Sequence, residues 1–173
     1  IAAFDIWSYR KARRFADLKL HTKLMLIGTI LLIALGAIIF LSVEWANPKT
    51  FGPLSMWDKV LAAIFQSVIA TVDYSQLHPI TLFVSIILMF IGAGPNSTGG
   101  GVKISTVMVA ILASCTLFNN RSDVEVFGRR IPMVTVFKAN GIIFLSILLV
   151  LLATCYLAWD EPFDFIRLLF EVT

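Results

Sequence analysis

Leu24 to Val43 runs for 20 residues, and Ala139 to Trp159 for 21, as apolar stretches without a charged residue. At about 1.5 Å per residue each covers the ~30 Å of bilayer hydrocarbon, so both are expected to be spanning helices. A third apolar run, Ile80 to Phe118, is 39 residues long. As one helix it would stretch about 58 Å, too far for a single crossing. It is interrupted by Gly92-Ala-Gly-Pro-Asn-Ser-Thr-Gly-Gly-Gly-Val-Lys103. The pattern therefore predicts two half-helices, Ile80–Ile91 and Ile104–Phe118, that cross once together with a loop between them. Non-helical backbone at membrane depth survives only when buried in protein or lining a water-filled cavity, and it usually marks an ion or substrate path.

The loop residues suit a gate. Gly92, Gly94, Gly99, Gly100 and Gly101 permit dihedrals closed to other residues, and Pro95 removes a backbone donor. Beside Asn96, Ser97 and Thr98 can satisfy backbone groups freed at the break. Lys103 places a cation at bilayer depth, where a lysine is costly and faces a cavity or a partner. Its ammonium would repel a permeating cation or tie the loop to a carboxylate; snorkelling to the inner interface is the plainer alternative. The pattern of the loop argues against nucleotide binding. A phosphate loop needs Gly-Lys-Ser/Thr, but Lys103 follows Val102, and a dinucleotide fingerprint would need glycine at Ser97.

Between the first span and the interrupted run lies an amphipathic stretch, Trp57 to Ile69, preceded by Pro53 and Ser55. It reaches only ~20 Å as a helix, and both its neighbours lie on one side of the membrane, so it is expected to be a re-entrant pore half-helix. An interfacial amphipathic helix fits the composition too. A repeat favours the pore helix: Phe163-Asp-Phe-Ile-Arg-Leu-Leu-Phe170-Glu resembles Trp57-Asp-Lys-Val-Leu-Ala-Ala-Ile-Phe65-Gln, about 105 residues earlier, with one residue deleted. The organisation expected is thus 1–23, the end of a preceding helix and a basic segment; 24–118, a span (24–44), a half-helix (57–69) and a broken helix (80–118); 119–138, a loop; and 139–173, a span (139–159) and a half-helix (162–173). An inward-pointing half-helix turns its negative dipole end toward the midplane, where it favours a cation, and the carbonyls that follow can replace a hydration shell.

Composition agrees with an all-α integral membrane protein: hydrophobic residues make up 58%, charged residues 14%, and mean hydropathy is +0.88. Charge sets the topology. Of 14 basic residues, ten fall on two segments, Arg10, Lys11, Arg13, Arg14, Lys19 and Lys23 before the first span and Arg121, Arg129, Arg130 and Lys138 before the last, which places both in the cytoplasm. Glu44, Asp58, Asp73, Asp160, Glu161, Asp164 and Glu171 fall on the opposite side, where an acidic mouth would concentrate cations unless each acid merely solvates its loop. Cys115 and Cys155 lie near opposite ends of their spans and are expected to be packing residues rather than a disulfide. The apolar opening at Ile1 and the amphipathic stretch reaching Thr173 suggest a fragment of a longer chain.

Ser97-Thr-Gly-Gly-Gly-Val-Lys103, preceded by Met89-Phe-Ile-Gly-Ala-Gly-Pro-Asn96, closely resembles the intramembrane gating loop of the Trk/Ktr/HKT superfamily of potassium transporters, above all the bacterial Ktr-type membrane subunits. Phe65-Gln-Ser-Val68 looks like that family's third pore helix, Val126-Phe-Gly-Arg-Arg-Ile-Pro132 like its cytoplasmic turn, and Phe170-Glu-Val-Thr173 like the end of its fourth pore helix. The resemblance implies the end of repeat two, all of repeat three and the first half of repeat four of a fourfold pseudo-symmetric pore. One departure stands out. The family's short Thr-Ala-Gly-Phe-like filter segment is replaced by Ile69-Ala-Thr-Val-Asp73, with no glycine. Ile69, Ala70 and Thr71 hold the filter position; either this repeat's filter is altered or several residues are missing between, and the close match on either side favours the latter.

What the resemblance implies is an ion-conducting subunit of a potassium uptake system in the cell membrane, with no covalent chemistry and no cofactor on this chain. Potassium is its substrate, with sodium a second candidate, and no side-chain metal ligands are specified. Expected partners are a second copy, membrane lipid and a cytosolic nucleotide-binding regulatory ring touched by Arg121, Phe127, Arg129 and Arg130; no nucleic acid is expected. Alternation over Ser122 to Phe127 before Gly128 predicts a short hairpin strand there. An unrelated secondary transporter with a broken helix is the alternative, while a simple membrane anchor leaves the glycine loop unexplained.

Overall fold

The computed structural model describes residues 18–68, 77–92, 100–118, 124–160 and 164–173. In chain order the helices are α1 (Leu20–Glu44), α2 (Met56–Val68), α3 (Pro79–Phe90), α4 (Ile104–Phe118), α5 (Met133–Asp160) and α6 (Phe165–Val172). Two small ribbons accompany them: β1 (Ile91–Gly92) beside β2 (Val102–Lys103), parallel, and β3 (Val124–Val126) beside β4 (Arg129–Ile131), antiparallel. Among the described residues α1 and α5 are long and apolar enough to cross a membrane, and α3 and α4 are shorter apolar helices. The mostly helical expectation holds; the ribbons are local additions at turns.

The described residues form two compact units. In one, built from Ile30–Phe90 and Leu148–Thr173, the core is Phe40 of α1, Phe51 of the α1–α2 loop and Ala63 of α2, with Val84 and Leu88 of α3 packed on it. Gly36 lets α1 approach closely: a Cβ there would lie 2.8 Å from Leu88 Cδ1 and 3.0 Å from Ser67 Cβ. Helix α6 packs on α3 and buries Leu168. In the other unit, of Ile1–Thr29 and Ile91–Ile147, Ala113 of α4, Val124 and Ile131 of the hairpin and Val136 of α5 share a core. There Gly28 of α1 lies against Ile104 and Met108 of α4.

Helix ends differ from the charge-free runs in one consistent way. Helix α1 begins at Leu20 rather than Leu24, and α5 begins at Met133 rather than Ala139, so part of the segment 119–138 is helix, not loop. The absence of charge marks hydrocarbon depth, whereas a helix continues beyond it, with Lys138 exposed and Lys23 buried. Pro132 sits just outside α5, its carbonyl accepting the Thr135 and Val136 N–H groups at 2.8 and 3.4 Å. Cys115 and Cys155 are free and exposed, not packed as their apolar surroundings suggested.

Candidate functional site

The interrupted apolar run is divided where the glycines are. Helix α3 ends at Phe90, α4 starts at Ile104, and the chain between them opens and closes with a parallel pairing of Ile91 with Val102 and Gly92 with Lys103. Val102 and Ile104 are buried and Lys103 is exposed. Gly92 has no room for a side chain, because its Cβ would fall on the carbonyl oxygen of Gly100. Gly101 adopts φ of 81°, a left-handed conformation open mainly to glycine. Of the residues expected in the gate, Gly92, Gly100, Gly101 and Lys103 are therefore brought together. Gly94, Pro95, Asn96, Ser97, Thr98 and Gly99 lie outside the described residues.

Helix α2 matches the expected half-helix in length, 13 residues over Met56–Val68. Its start is fixed twice. Ser55 Oγ accepts the Asp58 N–H at 3.4 Å and donates to Asp58 Oδ2 at 2.6 Å, a cap that satisfies an orphan donor of the first turn. Lys59 Nζ donates to the Trp45 carbonyl at 3.0 Å and sits 4.7 Å from the Trp45 ring centre. Toward its other end Gln66 is buried, and its Oε1 has no hydrogen-bond partner. Gln66 lines a cavity of about 90 Å³ with Phe40, Ser67, Ser85 and Leu88. Ile69, Ala70 and Thr71, the expected filter position, lie outside the described residues.

Sequence reasoning placed Glu44 among acids facing an outer mouth; it is instead completely buried. Four neutral donors surround its carboxylate. Oε2 accepts Asn47 Nδ2 at 2.5 Å and Thr50 Oγ1 at 2.7 Å, while Oε1 accepts the His78 backbone N–H at 2.9 Å and Thr81 Oγ1 at 2.6 Å. Asn47 is itself oriented by the Lys49 N–H, 3.1 Å from its Oδ1. The signal available beforehand was the Glu44, Asn47, Thr50 spacing directly after an apolar span, a run of side chains able to fold back on one carboxylate.

The predicted hairpin strand is present as β3, joined to β4 by Phe127-Gly128 with φ of 51° and 73°. Positive φ at both turn positions is the type I′ requirement, which glycine meets freely and phenylalanine does not. Lys23 Nζ lies 5.4 Å from the Phe127 ring centre. Arg130 Nε donates to Glu125 Oε1 at 2.9 Å across the ribbon, and Arg129 and Phe127 are exposed. Arg121 lies outside the described residues.

Comparison with known proteins bears on this arrangement. The chain is 39% identical over 173 residues to the Ktr system potassium uptake protein B of Vibrio alginolyticus, covering 96% of this chain and 38% of that protein. It is 33% identical over 174 residues to the Bacillus subtilis (strain 168) protein of the same name, covering 97% and 38%. It is 29% identical over 163 residues to the potassium/sodium uptake protein NtpJ of Enterococcus hirae, covering 91% and 35%. The chain thus spans well under half the length of these relatives. Residues 3–173 match the TrkH family, described as cation transport protein, and the two long apolar helices and the glycine-divided run both fall inside that match. With the family reaching across nearly the whole chain, the protein is a membrane protein and belongs to the TrkH family of cation transport proteins.

Proposed function

We propose that this chain is part of the ion-conducting subunit of a potassium uptake system, passing K⁺ through a central pore whose inner exit is controlled by Gly92 to Lys103. The observation that carries the reading is the close approach of Gly92 to Gly100 within the interrupted apolar run of a cation-transport family member. Helices α3 and α4 together make one crossing in this reading, α2 and α6 are pore half-helices, and the whole builds a fourfold pseudo-symmetric pore in the cell membrane, crossed several times by the chain. Ile69, Ala70 and Thr71 sit at the filter. Names of relatives support potassium, and the Enterococcus hirae protein favours sodium as a second ion.

The subunit pairs as a dimer on a cytosolic nucleotide-binding ring, with Arg121, Phe127, Arg129 and Arg130 facing the ring. The exposed, basic hairpin supports that contact. Membrane lipid is the remaining partner, consistent with an open apolar groove of about 430 Å³ lined by Ile30, Ile33, Ile38, Val60 and Ile64. Rubidium uptake by liposomes holding the complete protein tests the function. Saturable uptake blocked by external potassium is expected, and uptake no greater than in empty liposomes would overturn it.

A further inference from the structure

The cavity of about 90 Å³ beside the last turn of α2 is lined by apolar Phe40, Val68 and Leu88 and by polar Gln66, Ser67 and Ser85, all in one compact unit. Its polar members are short of hydrogens. Ser67 Oγ donates to the Ile64 carbonyl at 2.7 Å and Ser85 Oγ to the Thr81 carbonyl at 2.9 Å. A hydroxyl has one hydrogen, so each of these oxygens can offer the cavity only lone pairs. Gln66 Oε1 is an acceptor as well, and among the described residues nothing donates to it. Gln66 is 5% exposed and Ser85 2%, so bulk water does little for either. A buried acceptor without a partner is costly, and three such oxygens on one cavity call for a donor or a cation.

Two surrounding features favour the cation. Gln66 to Val68 form the last turn of α2, the negative end of the helix dipole, and the C-terminal ends of half-helices are where membrane transporters hold sodium. A full negative charge also lies one turn away. Phe40 precedes Glu44 by four residues on α1, while Ser85 follows by four residues on α3 the Thr81 whose hydroxyl donates to Glu44 Oε1 at 2.6 Å. All four donors on Glu44 are neutral, so they do not cancel its charge.

The lining also selects among cations. Calcium and magnesium take carboxylates, and no lining residue carries one. Three oxygens are few for potassium, whose filters replace its hydration shell with rings of carbonyls. They suit a smaller ion that keeps part of its water, and the cavity is well above the roughly 15 Å³ that one water needs.

We infer that Gln66, Ser67 and Ser85 form a sodium-binding site beside the last turn of α2, with Glu44 supplying negative charge from one turn away. The inference goes beyond the potassium pathway and does not rest on it, because this sodium is held within the protein rather than carried across the membrane.

The test is equilibrium binding of radiolabelled sodium to the complete protein in detergent, with potassium in excess to fill any site that prefers it. Gln66→Leu nearly keeps the volume and removes the unpartnered oxygen. Ser85→Ala removes a second oxygen at the loss of one internal hydrogen bond, which guards against a Gln66 variant that fails to fold. Expected is saturable, potassium-resistant binding by the wild type, weakened roughly tenfold in Gln66→Leu and about threefold in Ser85→Ala. Affinity undiminished in Ser85→Ala, or in Gln66→Leu where it folds, overturns the site. Sodium that potassium displaces completely from the wild type, or that does not bind, overturns it too and leaves the cavity to water. Rubidium uptake by the same protein judges the pathway separately.

Discussion

Gly92 and Gly100 approach so closely that a Cβ on Gly92 would overlap the Gly100 carbonyl oxygen, whereas a Cβ on Gly100 would meet nothing within 4 Å. Two glycines of one loop thus carry opposite demands. Gly92→Ala must push the paired strands apart and is expected to lower the thermal midpoint in detergent and raise resting rubidium uptake. Gly100→Ala should change neither. Equal behaviour of the two variants would show that the Gly92 to Gly100 contact does not hold the loop.

If the loop plugs the path when nothing holds it aside, its removal opens the pore. Deleting Pro95 to Gly100 is expected to raise potassium flux several-fold at equal membrane abundance. Lys103→Ala should act in the same direction, because it removes a positive charge from the pathway of a cation. Unchanged flux in both would reduce the loop to a kink between α3 and α4.

The cap on α2 offers a quieter test. Ser55→Ala removes the oxygen that takes the Asp58 N–H and the hydroxyl that reaches its carboxylate. A loss of about 1 kcal/mol is expected, read as a lower denaturation midpoint with potassium selectivity preserved. Altered selectivity without a lower midpoint would contradict a purely stabilising cap.

The two long apolar helices and the short helix α2 were legible in the sequence because each rests on one local quantity: length without charge, or amphipathic length. Their ends were less legible. Met133 to Lys138 is helical although Lys138 interrupts the apolar pattern, since hydropathy reports the solvent around a helix and not its hydrogen bonding. Glu44 was misread for a different reason. Its burial depends on Thr81, 37 residues away, and no local pattern distinguishes a loop acid in water from one enclosed by distant donors. Within the gate, the glycine cluster was plain, but which glycine is indispensable required the backbone geometry that separates Gly92 from Gly100.

Phe127 holds a left-handed φ of 51° on the exposed hairpin, a conformation that costs a β-carbon-bearing residue roughly 1 kcal/mol. Contact with Lys23 returns about 0.5–1 kcal/mol of that, so folding alone has little use for the ring. Phe127→Asn, suited to a type I′ turn, should leave the midpoint within experimental error. It should weaken nucleotide control of flux if the ring meets the regulatory partner. Arg129→Glu with Arg130→Glu should weaken capture of that partner as well, the latter also breaking the Glu125 pair. Undiminished capture by both variants would remove the hairpin from the contact.

Orientation underlies every role assigned to these loops, and the structure indicates where to label. Thr50 is unsuitable because its hydroxyl is bound to Glu44, but Lys49 beside it is exposed, as is Arg129 on the hairpin. Cys115 and Cys155 are both free and exposed, so each must first be replaced by serine. Lys49→Cys should then react with a membrane-impermeant maleimide added outside intact cells, and Arg129→Cys only after the cytoplasmic face is opened. The basis is the skewed charge: ten of 14 basic residues lie on the two segments assigned to the cytoplasm, against Lys49, Lys59 and Arg167 on the other side. Retention on the basic side is a property of the loops flanking each span, so both sites must switch together. Reversed labelling at both would invert the pore and place Glu44 at its inner end. Labelling of both from the same side would require an even number of crossings between them and would overturn the single passage proposed for α3 and α4.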